Sequence, residues 1–395
     1  MRSIRQILAV TLLNLRNLPH RAASSAVAVI GVAAVVLVFA AVLSMAKGFE
    51  RTMLSAGSDN TAIMLQSGST SELNSGFSNE QVQLVVNAPG VARDGDTPIV
   101  SAELYVVVDV KKKSNNSDAN VPFRGMQASG FDVRDNVSIV EGRMFEPGRN
   151  EIVVGRAAQQ EFAGLDVGST IRFGQSEWQV VGAFEAAGSV SESELWTDVR
   201  ILQNAYRRGN SFQSVRFRFD DPDALQQVRA TLEADPTINA DIYTEREYYS
   251  TQAEGLSQFI RIVGYPLTVL MAIGAVFGAL NSMYSSVSVR GKEIATLRAL
   301  GFGPFPVLVS TIVESTLLAA IGGLAGGIAA YLAFNGFQVS TLNGPSFSQV
   351  VFDFAVTPDL LAQGLNAALI IGAIGGLFPA IRAARLPVAQ ALREL

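Results

Sequence analysis

The sequence predicts a membrane protein with four transmembrane α-helices and an inserted α+β extracytoplasmic domain. Apolar residues make up 49% of its 395 residues and charged residues only 16%, whereas soluble domains average about 25% charged. Four stretches are long and almost free of charge, and a helix needs roughly 20 apolar residues to cross a bilayer. The long segment between the first two stretches alternates strand-like and helix-like patterns, as a folded domain does.

The four predicted spans are bounded by charged residues or by turn signals. They are residues 21–46, 259–288, 304–335 and 359–381. Buried helices of soluble proteins are also apolar, but uncharged runs of this length are rare outside membranes. The first span is longer than the roughly 7–15 apolar residues of a cleavable signal peptide, so we expect it to remain as an anchor.

Lysine and arginine residues near the spans predict the orientation of the chain, because they are retained on the cytoplasmic side. One cluster precedes the first span, one lies between the second and third, and one follows the fourth: Arg2, Arg5, Arg16, Arg21; Arg290, Lys292, Arg298; Arg382, Arg385, Arg393. We therefore expect both termini in the cytoplasm, including the tail 382–395. The domain 47–258 and the short loop 336–358 are then outside.

The outer domain has two kinds of pattern. Residues 61–66 and 98–110 indicate strands, residues 79–86 indicate a helix, and residues 121–186 indicate short strands separated by glycine-bearing turns. We expect a membrane-proximal lobe of mixed strands and helices that carries a β-rich lobe. The sequence has no cysteine, which excludes disulfides and thiol ligands. No motif predicts a catalytic or metal site, and no basic surface predicts a nucleic-acid partner.

Two further segments are predicted to be helical. Residues 1–20 place apolar side chains at helical spacing, which is typical of an amphipathic helix lying on the inner leaflet and contacting membrane lipids. A plain cytoplasmic tail is the alternative. Residues 245–258 indicate a polar helix that continues directly into the second span. A helix without a linker transmits displacement, so this continuity has mechanical consequences.

The inner loop 289–303 is the most informative segment. Ile294, Leu297 and Leu300 are expected on one side of a short helix there, with charged residues around them and Gly301 as its stop signal. A short amphipathic helix can dock into the groove of a partner protein through its apolar residues. The alternative is a simple reversal at the membrane surface between two spans.

The inner loop, the tail and parts of the outer domain resemble one known family, the MacB/FtsX-type ABC transporter permeases of the mechanotransmission type (type VII). The inner-loop match comprises Arg290, Glu293-Ile294-Ala295 and Leu297-Arg298-Ala299-Leu300-Gly301-Phe302, followed by Glu314. The tail match comprises Pro379-Ala380, Arg382-Ala383-Ala384-Arg385, Pro387-Val388 and Ala391-Leu392-Arg393. Looser matches in the outer domain are Glu141-Gly142-Arg143-Met144-Phe145, Glu151-Ile152-Val153-Val154-Gly155 and Trp178-Gln179-Val180-Val181-Gly182. The resemblance covers essentially the whole chain.

The resemblance implies a non-enzymatic permease subunit in the inner membrane of a bacterium, with its large domain in the periplasm. It implies a dimer with a second permease copy or a paralogue, and a separate cytoplasmic ATPase that binds ATP and Mg. This sequence contains no G-x-x-x-x-G-K-[ST] phosphate loop, and we expect it to bind no cofactor itself. Such permeases export or extract substrates, in some cases with a periplasmic adaptor and an outer-membrane channel. The alternative that the resemblance permits is an FtsX-like scaffold that activates a periplasmic cell-wall hydrolase.

The resemblance further implies that the inner loop couples the permease to its ATPase. The expected coupling residues are Arg290, Lys292, Glu293, Ile294, Leu297, Arg298, Leu300, Gly301 and Phe302. Within the third span, Glu314 is expected to accept hydrogen bonds from a neighbouring span or from the loop helix, since an ionised carboxylate is costly in lipid. Proton transfer is the weaker interpretation, because no second acid or histidine accompanies it in the membrane.

Small residues in the last two spans predict close packing of helices. The glycines concerned are Gly322, Gly323, Gly326, Gly327, Gly372 and Gly376. In the third span they form two overlapping small-xxx-small pairs, and in the fourth span they form one. The alternative is that these glycines face lipid and only make the helices flexible.

Overall fold

A computed structural model describes residues 2–16 and 22–387. The chain divides into two compact units, each assembled from separate segments. The membrane unit, as we name it, comprises Met1–Lys47, Phe259–Phe337 and Phe354–Leu395, and the outer unit comprises Gly48–Gln258 and Gln338–Asp353. The predicted residues 17–20 and the end of the tail lie outside the described part of the chain.

The helices occur in both units. In chain order they are α1 (Arg2–Arg16), α2 (Ala22–Leu54), α3 (Asn79–Val86), α4 (Arg156–Glu161), α5 (Val199–Ala205), α6 (Pro222–Glu233), α7 (Glu245–Val289), α8 (Gly291–Ala299), α9 (Pro304–Phe334) and α10 (Pro358–Ala384). Within the described ranges, four of them, α2, α7, α9 and α10, are long and apolar enough to cross a membrane. The predicted fold class, four transmembrane helices with an inserted α+β domain, is confirmed.

The strands belong to the outer unit. In chain order they are β1 (Thr61–Gln66), β2 (Arg93–Asp94), β3 (Thr97–Pro98), β4 (Val100–Lys111), β5 (Asp118–Met126), β6 (Ser138–Gly142), β7 (Glu151–Gly155), β8 (Thr170–Phe173), β9 (Ser176–Glu185), β10 (Leu195–Asp198), β11 (Ser214–Arg218), β12 (Ala240–Thr244), β13 (Gln338–Asn343) and β14 (Ser348–Asp353). The main sheet has the order β12-β1-β11-β4-β5-β10-β7-β9-β6, with β8 beside β9.

Strand β4 joins the two parts of this sheet. Its first residues, from Val100 to Glu103, pair with β11, and its later residues, from Leu104 to Lys111, pair with β5. The first part of the sheet carries α3 and α6, whereas the second part is rich in strands. Both parts contribute to one apolar core, which includes Val82, Val228 and Trp178. The expected mixed and β-rich regions are therefore both present, and they share a strand and a core.

Glycines allow the membrane helices to approach closely. A Cβ atom added to Gly326 would lie 2.3 Å from the carbonyl oxygen of Ala33 in α2. A Cβ atom added to Gly322 would likewise lie too close to the carbonyl oxygen of Val29 in α2. The adjacent face of α9 meets α10, where a Cβ on Gly376 would lie 2.6 Å from the Cβ of Ser315. Since these distances are shorter than carbon atoms tolerate, a larger residue at either position would force the helices apart.

The short segment between α9 and α10 forms a β-hairpin of β13 and β14, and this hairpin is part of the outer unit. Phe352 packs edge-on against Phe49. The amide of Val351 donates to Ser193 Oγ at 2.9 Å, and the hydroxyls of Ser348 and Tyr105 lie 2.9 Å apart. The sequence predicts only a short loop for this segment, and it predicts an outer domain that is connected to the first two spans alone. The structure shows that the chain between the last two spans also enters the outer unit.

Candidate functional site

The inner loop folds as the short helix α8, and the sequence sets its C-terminal end. Gly301 adopts a φ of +94°, a conformation that residues with a side chain rarely adopt. The amides of Gly301 and Phe302 donate to the carbonyl oxygens of Arg298 and Leu297 at 3.1 Å each, which is the Schellman pattern of a helix end. Pro304 is the first residue of α9. Proline is tolerated there because a backbone amide in the first turn has no hydrogen-bond acceptor within the helix.

One side of α8 is attached to the membrane unit. Ile294 is buried and belongs to an apolar cluster with Val287, Val307 and Ala383. Arg298 Nη1 donates to the carbonyl oxygens of Leu386 and Ala384 at 2.7 and 3.2 Å, at the end of α10. Ile294 therefore packs within this chain, although the spacing suggested that it would face a partner.

The opposite side of α8 is available to a partner. Lys292, Glu293 and Gly301 are exposed, Leu300 is 73% exposed, and Leu297 and Phe302 are half-buried. On the attached side of α8, where Arg298 contacts the end of α10, lies an open groove of about 600 Å³, with two arginines and apolar residues in its wall: Arg298, Pro304, Phe305, Leu308, Ala384, Arg385, Leu386 and Pro387. The nine expected coupling residues thus divide into an inward set, around Arg290, Ile294 and Arg298, and an outward set around Leu300.

Arg290 lies at the corner between α7 and α8, and it is buried. Its Nη1 donates to Glu314 Oε2 at 2.5 Å. Its Nη2 donates to the amide oxygen of Asn14 in α1. The amide nitrogen of Asn14 in turn donates to Ser310 Oγ, one turn before Glu314 in α9. Glu314 is therefore hydrogen-bonded to Arg290, at the start of α8.

The outer unit contains a second and larger polar cluster, which we call the ionic network. It joins three arginines and four glutamates, all nearly inaccessible: Arg124, Arg134, Arg216, Glu72, Glu103, Glu194 and Glu245. Arg124 by itself donates hydrogen bonds to three of these carboxylates, those of Glu72, Glu103 and Glu194, at 2.6 to 3.0 Å. These residues come from strands β4, β5 and β11, from loops, and from the first residue of α7.

Electrostatic attraction favours the charged form of two carboxylates in the ionic network, those of Glu103 and Glu72. Burial by itself would raise the pKa of Glu103, but the guanidinium groups of Arg134, Arg124 and Arg216 outweigh it and lower this pKa to about 2. Burial opposes ionisation of Glu72 as well, and attraction to Arg124 and Arg216 nevertheless holds its pKa well below the ordinary value. The carboxylates of Glu103 and Glu72 are therefore held in their charged form.

The ionic network also holds the beginning of α7. Arg216 on β11 donates to Glu245, the first residue of α7, and its guanidinium lies 5.9 Å from the ring centre of Tyr249 in the next turn. From Glu245, α7 continues without interruption to Val289, the residue before Arg290. One helix thus connects the ionic network with the corner at which α8 begins.

Two family models match this chain. The MacB-like periplasmic core domain matches residues 25–235, and the FtsX-like permease C-terminal domain matches residues 267–388. The first model covers more than half of the chain. The chain belongs to the MacB/FtsX-type ABC transporter permease family. In this family the permease works with an ATPase partner.

Some relatives of this permease are named as combined ATP-binding/permease proteins, and others are named as permeases. It is 25% identical to the macrolide export ATP-binding/permease protein MacB 1/2 of Paracoccus denitrificans over 93% of the chain, but it covers only 55% of that protein. It therefore spans about half of that relative's length, and about a third of the next two MacB proteins. It is 24% identical to the ABC transporter permease YknZ of Bacillus subtilis over 72% of each chain, and 20% identical to the permease MJ1507 of Methanocaldococcus jannaschii over 96% of each.

Two solved structures with similarity to this permease are extracytoplasmic regions of other proteins. The periplasmic region of MacB from Actinobacillus actinomycetemcomitans aligns with 52% of this chain and 94% of that structure, at 12% identity and a TM-score of 0.37. The extracellular domain of YknZ aligns with 47% of this chain and all of that structure, at 14% identity and a TM-score of 0.34.

Neither Asn14 nor any member of the ionic network is predicted from the sequence as a functional residue. Asn14 falls among the polar positions of the amphipathic pattern in residues 1–20, which is where a solvated asparagine also lies. Two arginines of the network, Arg124 and Arg216, stand within strands whose neighbours are largely apolar. A charged residue inside an otherwise buried strand pattern, such as Glu103 in β4 or Arg124 in β5, was the one available signal, because buried charges require partners.

Proposed function

We propose that this chain is the permease subunit of an ABC transporter that transmits ATP binding and hydrolysis from a separate cytoplasmic ATPase to its outer unit. The motion of the outer unit would drive the export or extraction of a substrate from the periplasm or the outer leaflet. The observation that carries this proposal is the continuity of α7, which connects the ionic network at Glu245 with the corner at Arg290. A displacement of α8 would then reach the outer unit through the backbone of this one helix.

The proposal includes a membrane location and an assembly. The chain would lie in the inner membrane of a bacterium, with both termini in the cytoplasm and the outer unit in the periplasm. Two permease copies would bind two ATPase subunits, which hold ATP and Mg, and a periplasmic adaptor and an outer-membrane channel would extend the path of export. The exposed side of α8 and the open groove beside Arg298 support the docking of the ATPase, since Leu300 and Phe305 expose apolar surface beside charged residues.

A docking experiment tests the proposal. Leu300→Asp places a charge on the exposed side of α8, and we expect association with the cognate ATPase to weaken by at least about tenfold, as for a central interface residue. The measurement is co-purification and binding affinity with the ATPase encoded beside the permease. The matched control is Leu342→Asp, which changes an exposed leucine of β13 in the outer unit. Failure of the unmodified chain to bind the ATPase, or equal binding by both variants, contradicts the proposal.

A further inference from the structure

The hydrogen bonds around Arg290 form a closed ring that returns to the helix from which it starts. Ser310 and Glu314 lie one turn apart on the same face of α9. Asn14 donates to Ser310 and accepts from Arg290, and Arg290 donates to Glu314. Asn14 suits this position because its amide group is both a donor and an acceptor. The ring joins three elements: α1, α9 and the corner that begins α8.

The four side chains of the ring are buried, at 0 to 7% exposure. Removing one member of such a cluster leaves its partners without hydrogen bonds in a medium of low polarity, which is costly. The ring therefore favours one relative arrangement of α1, α9 and the start of α8 over others. Its hydrogen bonds join specific donor and acceptor atoms, whereas an apolar contact allows the two surfaces to slide past each other.

Helix α1 is attached to the rest of the membrane unit through few buried side chains, and it exposes several apolar side chains. Among its described side chains, Val10 and Asn14 are the buried ones, and they lie one turn apart. Leu8 and Leu12 are 63% and 58% exposed, and Leu13 is also exposed. This apolar surface is the part of the helix that contacts lipid when it lies at the membrane surface. The polar part of the attachment depends on Asn14.

We infer that Arg290 and Asn14 make α1 a moving part of the permease: when the ATPase displaces α8, Arg290 draws α1 along the inner leaflet. Arg290 is in this sense a positioning residue, which acts through Asn14 on a helix that does not touch the ATPase-facing side of α8. The inference rests on the proposed function. It adds the lipid-facing helix α1 to the elements that respond to ATP.

Two spin labels test this inference in the complete permease–ATPase complex in lipid nanodiscs. The sequence has no cysteine, so single cysteines can be labelled directly. Leu8→Cys reports on α1, and Leu342→Cys reports on the outer unit. We expect both labels to change mobility when ATP is added to the otherwise unmodified complex. With Asn14→Leu, a change of similar size that removes both hydrogen bonds, the response at residue 8 should be lost while the response at residue 342 persists.

Two further variants separate the ring from general damage. Gln6→Leu makes the same kind of substitution in α1 outside the ring and should leave both responses intact. Asn14→Asp keeps an acceptor for Arg290 and replaces the donor to Ser310 by an acceptor to which the Ser310 hydroxyl can donate, and it should restore the response at residue 8. A response at residue 8 that survives Asn14→Leu, that is lost equally with Gln6→Leu, or that is absent from the unmodified complex overturns the inference. Absence of a response at residue 342 in the unmodified complex contradicts the proposed function instead.

Discussion

Buried arginines organise both units of this permease, but they do so in different ways. In the outer unit, Arg124 and Arg216 each bond to three carboxylates, so the ionic network has many redundant connections. In the membrane unit, Arg290 bonds to the carboxylate of Glu314 and to the neutral amide of Asn14, and a second carboxylate, that of Glu293, lies 3.8 Å from its Nε. The ionic network therefore holds its strands and the start of α7 through several alternative ion pairs, whereas each connection within the ring is made by a single pair of side chains.

The most severe test of this comparison is removal of one arginine from the network. Arg216→Met leaves Glu72, Glu103 and Glu245 with one fewer cation in a dry environment, and we expect the outer unit to lose about 3–5 kcal/mol of stability. Thermal or denaturant unfolding of the complete chain, followed by the fluorescence of Trp178 and Trp196, measures this loss.

The matched control for that experiment is Arg200→Met, which changes an exposed arginine on α5. A surface change of this kind is expected to alter stability by less than about 0.5 kcal/mol. If Arg216→Met is no more destabilising than Arg200→Met, the network does not hold the outer unit together, and the contrast between the units fails.

Acidification is expected to have the next largest effect on stability. It tests the comparison directly, because it protonates the carboxylates. The pKa of Glu103 is lowered in the folded state to about 2, from an ordinary value of 4.5. Its contribution to stability is therefore fully present above about pH 4.5 and is lost as the pH falls toward 2. We expect the outer unit to unfold in this window, as measured by circular dichroism against pH.

Glu103→Gln provides the comparison for the acid transition. The variant is less stable at neutral pH, because Arg134 loses its charged partner, but it has one carboxylate fewer to protonate. Its stability should fall less steeply between pH 4.5 and 2. An equally steep fall in the variant would show that other carboxylates cause the acid unfolding.

The smallest expected effect concerns the ring. Glu314→Gln keeps a hydrogen-bond acceptor for Arg290 and removes only the charge, so we expect a loss of about 1 kcal/mol in the stability of the membrane unit. The measurement is thermal unfolding in detergent, together with co-purification of the ATPase, which should be retained. A loss as large as that of Arg216→Met would show that the ring is as rigid a support as the ionic network, and would remove the distinction between the two units.

The sequence predicted those features that depend on neighbours along the chain. Apolar runs defined the four spans because the thickness of a bilayer fixes the length of a crossing helix. Gly301 marked the end of the inner-loop helix because its positive-φ backbone conformation favours glycine there. The absence of a turn signal between residues 245 and 259 predicted one helix where the structure has α7. The family resemblance followed from similar local runs, and the family models bear it out.

Only the tertiary structure decided which distant residues meet. The hairpin of β13 and β14 could not be assigned to the outer unit, because the residues that it contacts there, such as Phe49 and Ser193, lie far away in the sequence. The ionic network draws on segments between Glu72 and Glu245, and Asn14 meets Arg290 across most of the chain. Ile294 and Leu300 were placed on one side of α8 from spacing, but packing against Val307 and Ala383 determined that one is inside and the other is exposed. Periodicity describes the faces of a helix, and the surrounding elements decide which face is covered.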